Sequence, residues 1–100
     1  MGIRNVRVLG RLFKITREKS ENNYGLCDRE KGTINVVPEL DSFMEKDIHL
    51  HEIMHAILGQ QGFNHPYKLE ESFVRPLATG IITVLRDNPA FAKWLLSPIK

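Results

Sequence analysis

The N-terminal part of the chain alternates between apolar and polar side chains with the two-residue period of β-strands. In residues 12–16, a phenylalanine and an isoleucine alternate with a lysine and a threonine, which is typical of a strand with one buried face. Pro38 ends the last of these runs, because proline cannot donate a hydrogen bond to a strand ladder. Four runs pair across glycine-containing turns into two predicted hairpins, residues 6–9 with 12–16 and residues 24–28 with 33–37.

The rest of the chain changes to the longer period of amphipathic helices. Asp41 or Ser42 can cap the first helix, which is predicted to run to about residue 58, just before a glycine. A second helix is predicted over residues 69–86. A short third helix is predicted over residues 89–95, with an Asn-Pro pair at its start. The apolar stripe of the second helix consists of Val74, Leu77, Ala78, Ile81 and Leu85.

Composition and pattern together predict the fold class. A chain of 100 residues with 42% hydrophobic content fits one small globular domain, over residues 1–100. The class is α+β, with a small antiparallel β-sheet of three or four strands packed against the first helix and two further helices behind. A core of this size gives marginal stability, to which a bound metal ion would add.

Charge and cysteine content limit the functions that fit. Basic residues are concentrated in the first hairpin, which suits a nucleic-acid-binding module. The formal net charge is only +2, however, and acidic residues follow closely, so we expect no nucleic-acid partner. The single Cys27 excludes an internal disulfide and fits a reducing cytoplasm. We also expect a cytoplasmic protein without a membrane partner, because the sequence shows neither an export signal nor an apolar run of membrane-spanning length.

An H-E-x-x-H box lies inside the first predicted helix. His51 and His55 are four residues apart and therefore share one helix face, where both imidazoles can bind one metal ion. Glu52 lies one position after the first histidine and can accept a proton from an attacking water molecule. Two imidazoles at the edge of a buried helix face need partners, so the box predicts a metal site rather than a coincidental pair.

A catalytic zinc site usually has three protein ligands, so the box needs one more. The continuation found in metzincins is excluded, because Leu58 and Gln61 occupy the positions that would need glycine and histidine. Glu71, at the start of the second helix, is the predicted third ligand, with Glu70 close behind and His65 on the connecting loop as a further candidate. The two glutamates also suit the positive end of the helix macrodipole, which is a structural explanation for them. A His-His-carboxylate set fits Fe(II) as well, but the contiguous box favours Zn²⁺ as the cofactor.

The order of these motifs resembles that of small phage-encoded zincin-like proteins related to the ImmA/IrrE metallopeptidases. The resemblance covers residues 45–96 and consists of the H-E-x-x-H box, a glycine-rich turn, the Glu70-Glu71 pair with its apolar stripe, and the run at residues 85–89. It implies a zincin-like core in which the box supplies two zinc ligands and a general base, and a glutamate of the pair supplies the third ligand. Pro76 departs from this pattern, and the helix is expected to kink there or to start later.

We interpret the chain as a hydrolase, a zinc-dependent metallopeptidase that cleaves a protein or peptide substrate in the cytoplasm, which is that of the host if the chain is phage-encoded. An activating partner fits a peptidase that must not digest its own cell. Residues 33–37 directly precede the motif helix and are the predicted edge strand for an extended substrate. His49 is predicted on the surface and Tyr67 in packing. The alternative is a metal-binding, non-catalytic protein that acts as a partner-binding module.

Overall fold

A computed structural model describes residues 2–99. The chain order is β1 (Asn5–Val8), β2 (Arg11–Thr16), β3 (Gly25–Asp28), β4 (Thr33–Val36), α1 (Ser42–Gln60), α2 (Tyr67–Asp87) and α3 (Pro89–Leu95). The α+β fold class is confirmed, with one four-stranded sheet and three helices. No helix in this part of the chain combines the length and the apolar character needed to cross a membrane.

The sheet has the strand order β1-β2-β4-β3. Both predicted hairpins form as antiparallel pairs, β1 with β2 and β3 with β4. The two hairpins join through a parallel pair, in which Ile15 of β2 lies beside Ile34 of β4, so the sheet is mixed rather than purely antiparallel. Asn35 fixes this junction, because its side chain bonds to the Thr16 hydroxyl at 2.8 Å and to the backbone N–H of Glu18 at 2.8 Å.

The prediction that residues 33–37 form the edge strand is wrong. Ile34 and Val36 are completely buried, so β4 takes the middle of the sheet, where both of its edges are paired. Leu26 of β3 is half exposed, and β3 is one of the two edge strands, with β1 at the opposite edge. The physical reason is the difference in burial, because the strand with two fully apolar inward residues gains more from a central position.

The main core lies between the sheet and α1. Its buried side chains come from all strands except β3 and from one face of the helix: Val8, Phe13, Ile15, Ile34, Val36 and Ala56. On its other side α1 packs against α2, which buries Val74 and Ala78, and α2 in turn carries α3. The motif helix is therefore enclosed between two layers, which fixes the rotation of its side chains.

The ends of the helices determine where the acidic residues lie. Asp41 is the cap of α1, since its carboxylate accepts a hydrogen bond of 2.8 Å from the Met44 N–H. The helix ends near Gly62, which has a φ of +77°, a conformation that glycine adopts without strain. The second helix begins at Tyr67, earlier than predicted, and runs without interruption through Pro76. Both glutamates of the pair therefore lie within the first two turns of α2.

Candidate metal centre

Three side chains from α1 and α2 converge at the start of α2. His51, His55 and Glu71 each offer one ligand atom, and these atoms all lie within 4.8 Å of one another. A single oxygen, Oε1 of Glu71, lies 3.0 Å from His51 Nε2 and 2.8 Å from His55 Nε2. Tetrahedral zinc, with bonds of about 2.0–2.2 Å, holds its ligand atoms roughly 3.4 Å apart, which is comparable with these separations.

Glu70 lies behind His55 rather than among the converging atoms. Its carboxylate is 2% exposed and hydrogen-bonded to His55 Nδ1. Burial raises the pKa of Glu70, but the hydrogen bonds from Arg29 and His55 outweigh burial and hold the pKa below its ordinary value. The ionised carboxylate can thus accept the Nδ1 proton, and Nε2, on the opposite side of the ring, faces Glu71 Oε1 at 2.8 Å.

Arg29 completes this arrangement from the turn after β3, and sequence reasoning missed its role. Its guanidinium is hydrogen-bonded to the Glu70 carboxylate. The side chain passes directly over Gly59 of α1, where an added Cβ would lie 2.6 Å from Arg29 Cδ. The sequence signal is weak: Gly59 lies one helical turn after His55, but nothing in the pattern connects it to an arginine far away along the chain.

Glu52 is clamped against the edge strand. It is 6% exposed and accepts a hydrogen bond from the Cys27 backbone N–H. A Cβ at Gly25 would lie 2.9 Å from Glu52 Cγ and 2.7 Å from Ile48 Cγ2, so glycine is needed for this close approach. Burial raises the pKa of Glu52 to about 7; His55 and the Cys27 N–H act in the opposite direction, and Glu71 adds to the rise.

Glu71 has the opposite electrostatic environment. Burial raises its pKa, but the hydrogen bond from His55 and the charge of His51 outweigh burial, and the pKa lies below the ordinary value. The two carboxyl groups therefore differ in pKa: that of Glu71 lies below the ordinary value, while that of Glu52 is raised to about 7.

The site opens into two adjoining clefts of about 350 Å³ and 570 Å³, and both are lined by Glu52 and Tyr67. Tyr67 packs against His55, as predicted, with the two rings stacked and their centroids 5.3 Å apart, although the residue is 65% exposed. The Tyr67 hydroxyl lies 3.5 Å from Glu71 Oε1, at the mouth of the site. His65 lines the smaller cleft but does not belong to the converging cluster.

His49 does not lie on the surface as predicted. Its side chain is only 15% exposed, and Nδ1–H donates a hydrogen bond of 2.7 Å to the carbonyl oxygen of Glu45. The reason is the double packing of α1, because a helix enclosed between a sheet and another helix has little free surface even opposite its metal-facing side.

Comparisons with protein-family models, with curated protein sequences and with solved structures give no match to the chain. The likeness to ImmA/IrrE-type metallopeptidases therefore stays a prediction from the order of the motifs. The function must be inferred from the side chains and their geometry.

The reactivity of Cys27 tests the described environment of Glu52. Burial and then the charge of Glu52 raise the pKa of the Cys27 thiol to about 11. The thiolate fraction below that pKa falls by roughly a hundredfold, and the higher nucleophilicity of a more basic thiolate regains about a factor of ten. Alkylation by iodoacetamide at pH 8, followed by mass spectrometry, should be at least about tenfold slower than in the same chain unfolded in urea. Equal rates in the two states would contradict the described burial.

Proposed function

We propose that this protein is a zinc-dependent metallopeptidase. The observation that carries the proposal is the position of one Glu71 oxygen within 3.0 Å of both box imidazoles, beside a buried glutamate whose pKa is about 7. In the proposal, His51, His55 and Glu71 hold the ion and Glu52 is the general base. Two imidazoles and one carboxylate form a ligand set of catalytic zinc sites, which keep one position open for substrate or water.

The second layer around the cluster also supports a metal centre. A histidine that binds a metal through one ring nitrogen usually donates its other N–H to a carboxylate or a carbonyl group. Glu70 serves His55 in this way, and Arg29 in turn satisfies Glu70. An Arg–Glu–His chain that ends at the cluster is difficult to explain by stability alone, because the burial of Glu70 and His55 costs desolvation free energy.

The chemistry is divided between the ion and the protein. When bound, zinc supplies Lewis acidity that activates water and polarises the scissile carbonyl group. Glu52 takes the proton of the attacking water and delivers it to the leaving amine. Burial and the nearby charge of Glu71 raise the pKa of Tyr67, so its hydroxyl stays protonated and can donate a hydrogen bond to the developing oxyanion at the mouth of the site.

The edge strand β3 suits an extended peptide as the substrate. In an antiparallel pair, only every second residue of a strand forms backbone hydrogen bonds to the neighbouring strand. The hydrogen bond from the Val37 N–H to the Tyr24 carbonyl shows that Tyr24, and therefore Leu26, are the residues of this segment that bond to β4. The backbone N–H and C=O groups of Gly25 and Cys27 therefore point to the free edge of the sheet, where the Cys27 N–H donates a hydrogen bond to Glu52. A peptide that adds to this edge would run past the general base, with its backbone paired to those β3 groups that Glu52 leaves free and its side chains in the two clefts.

Metal content tests the assignment of ligands. The purified protein should carry about one zinc per chain, and His51→Ala, His55→Ala and Glu71→Ala should each lose it, because a site with two remaining ligands is weak. Elemental analysis without added metal, followed by titration with a chromophoric chelator, measures both stoichiometry and affinity.

The matched control is His65→Ala, which removes a cleft histidine outside the cluster and should retain the zinc. A folded wild type without stoichiometric zinc would refute the proposed metal centre. If His65→Ala lost the zinc and Glu71→Ala retained it, the third ligand would be His65 of the connecting loop and not Glu71.

A further inference from the structure

A large apolar surface on the far side of α2 has no role in the proposed metal centre. We name it the α2–α3 face. Its centre is a groove of about 480 Å³ whose lining contains no polar side chain. The groove is lined by Leu77, Gly80, Ile81, Val84, Leu85, Phe91 and Leu95.

The exposed area of this face matches one half of a dimer interface. Seven large apolar side chains of α2 and α3 are between 40% and 67% exposed: Phe73, Leu77, Ile81, Val84, Phe91, Trp94 and Leu95. Together they present on the order of 800 Å², which is about what one partner buries in a standard protein–protein interface. The largest apolar patch on a typical monomer is smaller, about 300–600 Å².

Gly80 provides a second, independent observation. It lies in the interior of α2, where glycine is the poorest helix former apart from proline. A Cβ added to Gly80 would meet open space among residues 2–99, so packing within the chain does not require the glycine. The backbone of Gly80 instead forms the floor of the groove, and because no side chain covers it, another backbone could approach closely.

We propose that a second copy of this chain covers the α2–α3 face. In a twofold arrangement the same groove meets itself, so one uncharged helix face packs against its own copy with Gly80 near the crossing. The sequence of α2 suits this packing, because no charged residue occurs between Arg75 and Arg86. A pair of like faces therefore brings no like charges together at its centre.

A lipid surface fits the same face less well. A protein surface that binds anionic membranes normally has basic residues around its apolar side chains. Here the neighbouring basic residues are Arg86 and Lys93, and Asp87 offsets one of them. A concave groove also favours a partner with protruding side chains over a bilayer.

The experiment measures mass in solution by light scattering and sedimentation over a dilution series. The wild type should be a dimer that dissociates on dilution. Gly80→Leu should weaken the dimer at least about tenfold by filling the groove, while its helix content should not fall, because leucine is a better helix former than glycine. Ile81→Glu should weaken the dimer by about a hundredfold, since the interface would bury an unpaired charge.

Lys68→Leu is the control, because it adds an exposed leucine to α2 outside the face and should leave the dimer intact. Circular dichroism confirms that each variant is folded. A wild type that stays monomeric at every concentration overturns the proposal, as does a dimer that neither groove variant weakens. A monomer that co-sediments with phosphatidylcholine–phosphatidylglycerol vesicles would assign the face to lipid and also overturn it.

Discussion

Glu52→Gln is expected to slow peptide-bond hydrolysis by about 10²–10⁴-fold and to leave the zinc content unchanged. Glutamine matches the size of glutamate and keeps an oxygen that can accept the hydrogen bond from the Cys27 N–H. It cannot take a proton from the attacking water, and general base catalysis typically contributes about 10²–10⁴ in rate. The expected loss is of that order, measured with a library of quenched fluorescent peptides while zinc is quantified in the same samples.

Glu45→Gln is the matched control, because it makes the same chemical change on the same helix at a residue that pairs with Arg17 instead. It should retain both zinc and activity. Equal hydrolysis by the wild type and the Glu52 variant would show that Glu52 is not the base. A wild type that holds stoichiometric zinc and cleaves nothing would favour the alternative of a metal-binding, non-catalytic protein.

Glu52→Gln should also stabilise the metal-free protein at pH 8 by about 3 kcal/mol, because the pKa of Glu52 rises from 4.5 to about 7 on folding. A raised carboxyl pKa means that the fold favours the neutral form. The buried charge therefore costs nothing below about pH 4, and the cost grows as the pH rises through the folded pKa. Glutamine never carries this charge, so the difference between variant and wild type should appear between about pH 4 and pH 8.

Urea unfolding in the presence of a chelator, at several pH values, measures this difference. The depressed pKa values of Glu70 and Glu71 act in the opposite direction, because they make stability fall as the pH falls. Both glutamates are present in wild type and variant, so their contribution largely cancels in the comparison. A difference in unfolding free energy that does not change with pH would contradict the buried, charged state of Glu52.

Local pattern was sufficient for the elements but not for their arrangement. The alternation in β2 and the helical period around the box depend on neighbours a few residues away, so the sequence contains this information directly. The order of the strands depends on which hairpin edge gains most from burial. Placing Ile34 beside Ile15, and leaving Leu26 at the edge, is a comparison between distant segments that no local pattern provides.

The candidate site, too, has a part that local pattern predicts and a part that it does not. His51, Glu52 and His55 have fixed relative positions because they share one helix, so their spacing was informative. Choosing between Glu70 and Glu71 requires the rotation of α2 against α1, because adjacent helical residues point about 100° apart. That rotation is set by the burial of Val74, and the sequence left the two glutamates open.

The edge strand contacts both parts of the centre, through the Cys27 N–H on Glu52 and through Arg29 at its end, which reaches Glu70 and so His55. A ligand that orders β3 and an ion that orders His55 therefore act on one connected set of hydrogen bonds. Thermodynamic linkage then requires reciprocity: by whatever factor the ion strengthens the binding of a peptide to β3, the peptide strengthens the binding of the ion. In the proposed peptidase, the coupling free energy between substrate and metal would be the same whichever of the two binds first.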